Sequence, residues 1–362
     1  MPSSLRAPRR RRRPTAVTIH DVAARAGVSV ATVSRVLNRK ALVREETSRQ
    51  VLEVARSLHY VPNIAARALS IRRNHTIGIV LPDVHGQFFS EVIRGIDLAA
   101  RRAGYHILVS GSHSDRDEML AVLEAMRGRV DGMVVMSPDV AVTALREQFV
   151  SAQPLVLLNS PAAGHDAITI DNHGGAQAMM RHLAELGHTR IAFVKGPEEN
   201  ADATERLRAY RRALRLIGAV RSAELEFAGD FSEESGFAAG LQILAATPRP
   251  TAVFASNDAM AVGVLSALSE SGFSVPRDFS VVGFDDIPIA RYLAPPLTTV
   301  KVDMAELGRR AFELLFESIG GGAAHTPRHE CIPTTLVVRQ SCGMPSASRR
   351  TNPTSGKAKA TH

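Results

Sequence analysis

The sequence predicts a small all-α head joined to a larger α/β body with parallel sheets, and three observations predict it. Residues 17–58 contain three short stretches with helical apolar spacing. From Thr76 onward, β-branched runs alternate with amphipathic stretches. The third observation is charge: of 362 residues, 44 are Lys or Arg and 36 Asp or Glu, a net +8 that is unevenly spread. Residues 1–73 carry 16 basic and 4 acidic side chains, net +12, and residues 349–362 carry 4 basic and none acidic. Residues 74–348 carry 24 basic and 32 acidic, net −8. A basic head on an acidic body points to a polyanion partner for the head and a different task for the body.

Composition excludes several classes. With 45% apolar residues, overall disorder is ruled out, and the length fits two or three units at roughly 100–200 residues each. No apolar run approaches the ~18–20 residues of a membrane span, so no membrane partner is expected. Arg9 to Arg13 is followed by Pro14, Thr18, His20 and Asp21 rather than by an apolar export segment. Cys331 and Cys342, the only cysteines, are too few for a disulfide framework or a zinc site and read as ordinary residues of a reducing cytoplasm.

The elements follow in order. Residues 1–16, with consecutive arginines from Arg9 to Arg13, are expected to form a disordered arm, either attracted to phosphates or simply solvated. Thr18 with Asp21 three residues later is a helix-start signature, followed by Ile19, Val22, Ala23 and Ala26 at helical spacing. Gly27 ends this helix where a left-handed conformation is needed. Ser29 caps a second helix, Val30 to Leu37, with Val33, Val36 and Leu37 inward beside Val28 and Asn38 as its stop. A third, Glu45 to Leu58, repeats the pattern with Val51, Leu52, Val54, Ala55 and Leu58, and Pro62 closes it. Two short helices with Gly at the corner fit a helix-turn-helix; the alternative is a generic small bundle.

In the body, strands are predicted at 76–81, 107–110, 132–136, 155–158, 167–170, 191–194, 253–256, 280–284 and 298–302. Helices are predicted at 90–103, 118–126, 176–186, 205–217, 233–244, 259–271 and 306–319. Nine or ten strands exceed one comfortable sheet, so two lobes with a ligand cleft between them are expected.

The run VTIHDVAARAGVSVATVSRVLN from Val17 to Asn38 closely resembles the head of lactose/galactose repressor (LacI/GalR) family regulators. Glu45-Glu46-Thr47, His59-Tyr60-Val61-Pro62-Asn63 and Ala66-Arg67-Ala68-Leu69 continue the resemblance. So do Ser256-Asn257-Asp258, Gly283-Phe284-Asp285-Asp286 and Pro296-Leu297-Thr298-Thr299-Val300, and the likeness spans about residues 17–343. It implies a helix-turn-helix whose second helix enters the major groove. Val30 and Ala31 would choose the operator by contact with thymine methyls, and Arg35 would contact guanine or, as the alternative, a phosphate. Thr18, His20, Ser29, Thr32, Ser34 and Asn38 would position the head. Asn63 to Ser70 would be a hinge, too short to be helical unless paired on DNA. Asn63 and Ala66 would be among its contacts, and Leu69 would wedge into the minor groove or, alternatively, rest on its own domain.

For the body the resemblance implies a two-lobed fold like the periplasmic sugar-binding proteins. Phe88, Phe89 and Phe231 would flank a ligand or serve as core, and Arg206, Asn257 and Asp285 would be polar ligand contacts able to satisfy vicinal hydroxyls or a sugar carboxylate. Asp83 and Asp171 are weaker candidates, since an Asp at a strand end often only caps the next helix. The chain departs from the family pattern at Gly86-Gln87, at Asn159-Ser160 and at Arg44, where relatives place a capping Ser.

A transport-type solute-binding protein would need an export signal and no helix-turn-helix. An enzyme would need a catalytic constellation, yet no G-x-G-x-x-G, P-loop, H-E-x-x-H or G-x-S-x-G stands in its required context, and the histidines lack metal spacing. The expectation is therefore a cytoplasmic, nucleoid-associated homodimeric regulator, most simply a repressor, without catalytic residues, metal or cofactor. It would bind a near-palindromic double-stranded operator and answer to a small sugar-like effector, as inducer or corepressor. Its expected segments are the arm 1–16, the helix-turn-helix domain 17–62, the hinge and linker 63–74, the effector-binding and dimerisation body 75–343, and a disordered tail 344–362. The tail has no leucine heptads, which argues against a tetramer.

Overall fold

The computed structural model describes residues 17–37, 43–60, 73–136, 153–160 and 164–345. The Arg9–Arg13 arm, Asn38, Pro62, the hinge residues Asn63, Ala66 and Leu69, and the tail beyond Pro345 lie outside the described residues. The chain separates into two units, Met1–Asn74 and His75–His362.

In the head, α1 (Ile19–Ala26) begins at a capping box. Asp21 accepts from the Thr18 amide and hydroxyl, both at 2.8 Å, and Thr18 Oγ1 accepts from the Asp21 amide at 3.4 Å. Those donations, the backbone one first, hold the Asp21 carboxyl below its ordinary range. Gly27 stops the helix at φ 63°, which a side chain would resist. Helix α2 (Val30–Leu37) starts where Ser29 Oγ accepts the Thr32 amide at 3.1 Å. Helix α3 (Glu45–Ser57) starts at Arg44, which supplies no side-chain cap. Val22, Val33 and Val51 are fully buried and centre the core, joined by Ala23, Ala26, Val36 and Ala55. Leu52, expected inside, is 40% exposed: its apolar neighbours already fill the narrow stripe that a three-helix head can bury.

The body opens with β1 (Thr76–Leu81), α4 (Gln87–Arg102), β2 (His106–Gly111), α5 (Arg116–Met126), β3 (Gly132–Met136), β4 (Leu155–Leu158) and β5 (Asp166–Ile170). The chain then crosses at Asp171 into α6 (Asn172–Glu185), β6 (Ile191–Val194), α7 (Ala201–Leu216), β7 (Glu226–Phe227), α8 (Glu233–Ala245), β8 (Ala252–Ala255), α9 (Asp258–Glu270), β9 (Ser280–Asp285) and β10 (Thr298–Val302). It returns at Asp303 for α10 (Met304–Gly321) and β11 (His329–Ile332), and crosses again at Pro333 to β12 (Thr334–Val337).

The strands form two six-stranded sheets, ordered β11-β5-β4-β3-β1-β2 and β12-β10-β9-β8-β6-β7. Every pairing is parallel except β10 with β12. Strands β3, β4, β6, β8 and β9 are buried along their whole length, as helix-covered parallel strands require. The expected strands are all present, and β7, β11 and β12 are added. All three lie at or beside a sheet margin, and the partly polar stretches His329–Ile332 and Thr334–Val337 hold no continuous apolar run.

Helices α8 and α9 approach so closely that a Cβ on Gly263 would overlap the Glu233 carbonyl and one on Gly236 the Met260 carbonyl. The crossings are stitched together: the Asp171 amide donates to the Ile332 carbonyl at 3.0 Å, and Thr334 Oγ1 donates to the Asp171 carbonyl at 3.0 Å.

Candidate functional site

The outer face of α2 carries Ala31 and Arg35, one helical turn apart and both exposed. Arg35 has no ion-pair partner among the described residues, so its guanidinium is available to an outside acceptor. Val30 is half-buried against the head core, leaving only part of its surface for a groove. Ser29 and Thr32 pair through their hydroxyls at 2.9 Å and hold the start of α2. Ser34 is half-buried on the same helix, while Thr18 and His20 stand exposed at the start of α1.

In the body, a polar chain runs between the lobes, buried except at the half-buried Asp202. Arg206 on α7 is almost completely enclosed; its Nε donates to Asn172 Oδ1 and its Nη1 to the Ser256 carbonyl, both at 2.7 Å. Its Nη2 lies 3.3 Å from Asp285 Oδ1 at the end of β9, close enough to attract but without an aligned hydrogen bond. The guanidinium also stacks over Phe284 at 3.8 Å and lies 5.9 Å from the Phe231 ring centre. Asn172 passes the chain on to Asp202, donating through Nδ2 at 2.7 Å. Asp202 in turn accepts from Asn159 Nδ2, also at 2.7 Å, and Asn159 belongs to the first lobe. Burial pushes the Asp285 carboxyl up to about 7, with Arg206 opposing that rise and Asp202 adding to it.

Asp285 is held in an unusual pose. It and Asp286 have φ of 112° and 57°, sparsely populated values for side-chain-bearing residues. Asp286 pairs with Arg339 at 2.7 Å. The fully buried Asp258 accepts from the Ile287 amide at 2.9 Å and from Thr299 Oγ1 at 2.6 Å, which anchors the turn just beyond. Burial first, then repulsion from Asp285, pushes the Asp258 carboxyl well above its ordinary range.

The remaining expected residues divide. Phe231, at φ 75°, is half-buried near Arg206. Phe88 and Phe89 meet edge to face at 5.5 Å and are half-buried against the core. Asn257 has both amide groups engaged: Oδ1 accepts the Met260 amide at 2.9 Å, capping α9, and Nδ2 donates to the Phe231 carbonyl at 3.0 Å. It therefore positions Phe231. Asp171 caps α6 through the Gly174 amide at 2.8 Å, and Asp83 accepts the His85 amide at 2.9 Å in an exposed turn. Residue types alone did not single out Asn172 or Asp202, and Asn159 stood out only as a departure from the family pattern. The signal in each was a polar residue at a strand end or in the first turn of a helix, which local capping also explains. Among the described residues, no group of three or more His, Cys, Asp or Glu side chains is placed to hold a metal, and no helix is long and apolar enough to cross a membrane.

A helix-turn-helix unit followed by a two-lobed α/β body with a buried Arg–Asp pair defines a ligand-binding DNA-recognition protein. Residues 18–63 match the description "Bacterial regulatory proteins, lacI family" and residues 180–342 a periplasmic binding protein-like domain. The chain is 36% identical over 329 residues to the HTH-type transcriptional repressor PurR of Mannheimia succiniciproducens, covering 90% of this chain and 98% of that one. It is 35% identical over 323 residues to the ribose operon repressor of Escherichia coli K12, covering 88% and 98%. Its fold is similar to that of the lac repressor dimer bound to operator and the anti-inducer ONPF, at 31% identity and a TM-score of 0.81 over 91% of this chain and 100% of that one. The chain belongs to the lacI family of bacterial regulatory proteins. It is a DNA-binding transcriptional regulator with a ligand-binding body, not an enzyme and not a transport-type binding protein.

Proposed function

We propose that the chain represses transcription as a homodimer whose affinity for a near-palindromic operator is set by a small sugar-like effector held between the lobes. The observation that carries this reading is the Asn159–Asp202–Asn172–Arg206–Asp285 chain, because it joins both lobes through buried and, at Asp202, half-buried polar groups that a ligand can engage. A ligand there changes how the lobes are related, and the coupling reaches the operator through that change.

On DNA, Val30, Ala31 and Arg35 read bases, and Thr18, His20, Ser29, Thr32, Ser34 and Asn38 fix the docking. Asn63, Ala66 and Leu69 form the hinge contact. Arg206 and Asp285 are the principal effector residues, flanked by Phe88, Phe89 and Phe231. Asn257, Asp171 and Asp83 act behind them, through the backbone that each one holds. The protein works in the cytoplasm, on the nucleoid. Support for the dimer comes from the lac repressor, which holds operator and anti-inducer as a dimer.

The test is to select genomic fragments with the full chain and titrate the best one. Arg35→Ala is expected to weaken discrimination between that fragment and a base-substituted copy by ~1–3 kcal/mol. Asp285→Asn is expected to keep operator affinity and lose the effector response. Unchanged discrimination in the first variant, or an intact response in the second, contradicts the reading.

A further inference from the structure

We infer that the outer face of α6 and α7, at the end of the second lobe away from the cleft, docks an acidic segment of another protein that also carries apolar side chains. Elsewhere the body pairs exposed arginines with nearby carboxylates, Arg94 with Glu91, Arg101 with Asp97 and Arg277 with Asp278. Arg181 on α6, Arg212 and Arg215 on α7, and Arg221 just beyond it are exposed and have no ion pair or hydrogen bond among the described residues. The fold brings these four together. Helix α6 leads into β6 and α7 leads out of it, so both run against the strand and parallel to each other. Arg206 donates to Asn172 at 2.7 Å near the starts of the two helices, and Arg215 and Arg181, each nine residues further on, stand level. The Val220 amide donates to the Thr189 carbonyl at 2.8 Å, which brings Arg221 to the same end.

This arrangement costs α7 stability. Arg208, Arg211, Arg212 and Arg215 are like charges three and four positions apart, and such pairs repel on a helix surface. Glu205 relieves Arg208 at 2.6 Å and Glu226 relieves Arg211 at 2.8 and 2.6 Å, but no described carboxylate relieves Arg212 or Arg215. Leu216 and Val220, 72% and 41% exposed, lie at the same end of α7. An acidic partner supplies the missing carboxylates in the geometry that guanidinium forks take, and an apolar side chain beside them covers Leu216. The chain's own termini are the wrong sign for this, since residues 1–16 and 346–362 contain no Asp or Glu. Nucleic acid fits less well: its phosphates offer nothing apolar to Leu216, and a long duplex lying here would also meet the field of a body whose net charge is −8 over residues 74–348.

The experiment titrates the full chain with a short synthetic peptide of Glu and Asp that carries two leucines one helical turn apart and a photo-crosslinker. Excess non-operator duplex occupies the basic head, and crosslinks are mapped by mass spectrometry. Labelling of residues 208–221 is expected. Arg212→Ala combined with Arg215→Ala is expected to weaken the peptide at this face by about three- to tenfold. The same pair should not lower the melting temperature, because it removes charges that repel. Leu216→Ser in the chain, or serine for both leucines in the peptide, is expected to weaken labelling by roughly three- to tenfold. No labelling of this face, or undiminished labelling in the double arginine variant, overturns the inference. So does equal labelling by the leucine-free peptide. Labelling that disappears when the duplex is added also overturns it and assigns the face to nucleic acid.

Discussion

Gln87 of the first lobe accepts a hydrogen bond through Oε1 from the backbone amide of Ile289 in the second, at 2.9 Å. With Asn159 donating to Asp202, this places two side-chain hydrogen bonds directly across the cleft. Both first-lobe residues stand where the sequence departs from the family pattern.

Gln87→Ala is expected to loosen that closure. A hydrogen bond of this kind contributes about 0.5–1.5 kcal/mol net, so the closed population should fall by roughly two- to tenfold. Hydrogen exchange of the Ile289 amide in the full chain reads this directly. An unchanged exchange rate would show that the bond does not restrain the lobes.

Stability should carry a pH signature from Asp285. Its native carboxyl titrates at about 7 and its ordinary value is 3.8. Between the two, the native state keeps a proton that the unfolded chain has released, so this group's contribution to stability falls as pH rises, by about 1.4 kcal/mol per unit. Above about pH 7 that loss is complete and the contribution is flat. Asp285→Asn removes the slope. Urea denaturation across this window should show the variant gaining on the parent as pH rises, and parallel curves would contradict the burial of a proton there.

Arg44 offers a stabilising substitution. It precedes α3 in a non-helical conformation and provides no side-chain acceptor for the first-turn amides. Arg44→Ser should add about 1 kcal/mol to the head, read as slower hydrogen exchange of the α3 amides. No slowing would mean that Glu45 and Glu46 already satisfy that helix end.

Two glycines should respond in opposite directions to the same replacement. Gly263→Ala gains helix propensity but drives a methyl into the Glu233 carbonyl of α8, and overpacking of that kind costs about 1–3 kcal/mol. Gly320 on α10 has open space around its added Cβ, so Gly320→Ala should stabilise by roughly 0.5–1 kcal/mol. Denaturant midpoints of the two variants should move apart.

The sequence revealed elements whose signal is local. Val30–Leu37 and the strands Thr76–Leu81, Leu155–Leu158 and Thr298–Val302 have the bounds that apolar pattern and caps predict. Helices α6 and α7 begin earlier than predicted, at Asn172 rather than Ala176 and at Ala201 rather than Glu205, because Asp171 and Asn200 cap polar first turns that carry no apolar period. Strand β7 has only two residues and borrows its geometry from β6. In the site, Arg206 and Asp285, both singled out through the resemblance, lie 3.3 Å apart, whereas Asn159 and Asp202 meet across 43 positions of sequence. Neither residue's neighbours in the chain contain that meeting, which only the packing of the lobes produces.

The stitched crossings have a mechanical meaning. Asp171 is tied to Ile332 and Thr334, so two of the three connections between the lobes move as one strap. The third, at Asp303, is a separate support where the carboxylate caps α10 through the Glu306 amide at 3.0 Å. Two supports define an axis, and bodies joined along an axis keep one soft rotation while the others are stiff. Wherever a ligand touches the cleft wall, its effect on the lobes is delivered as a single angle.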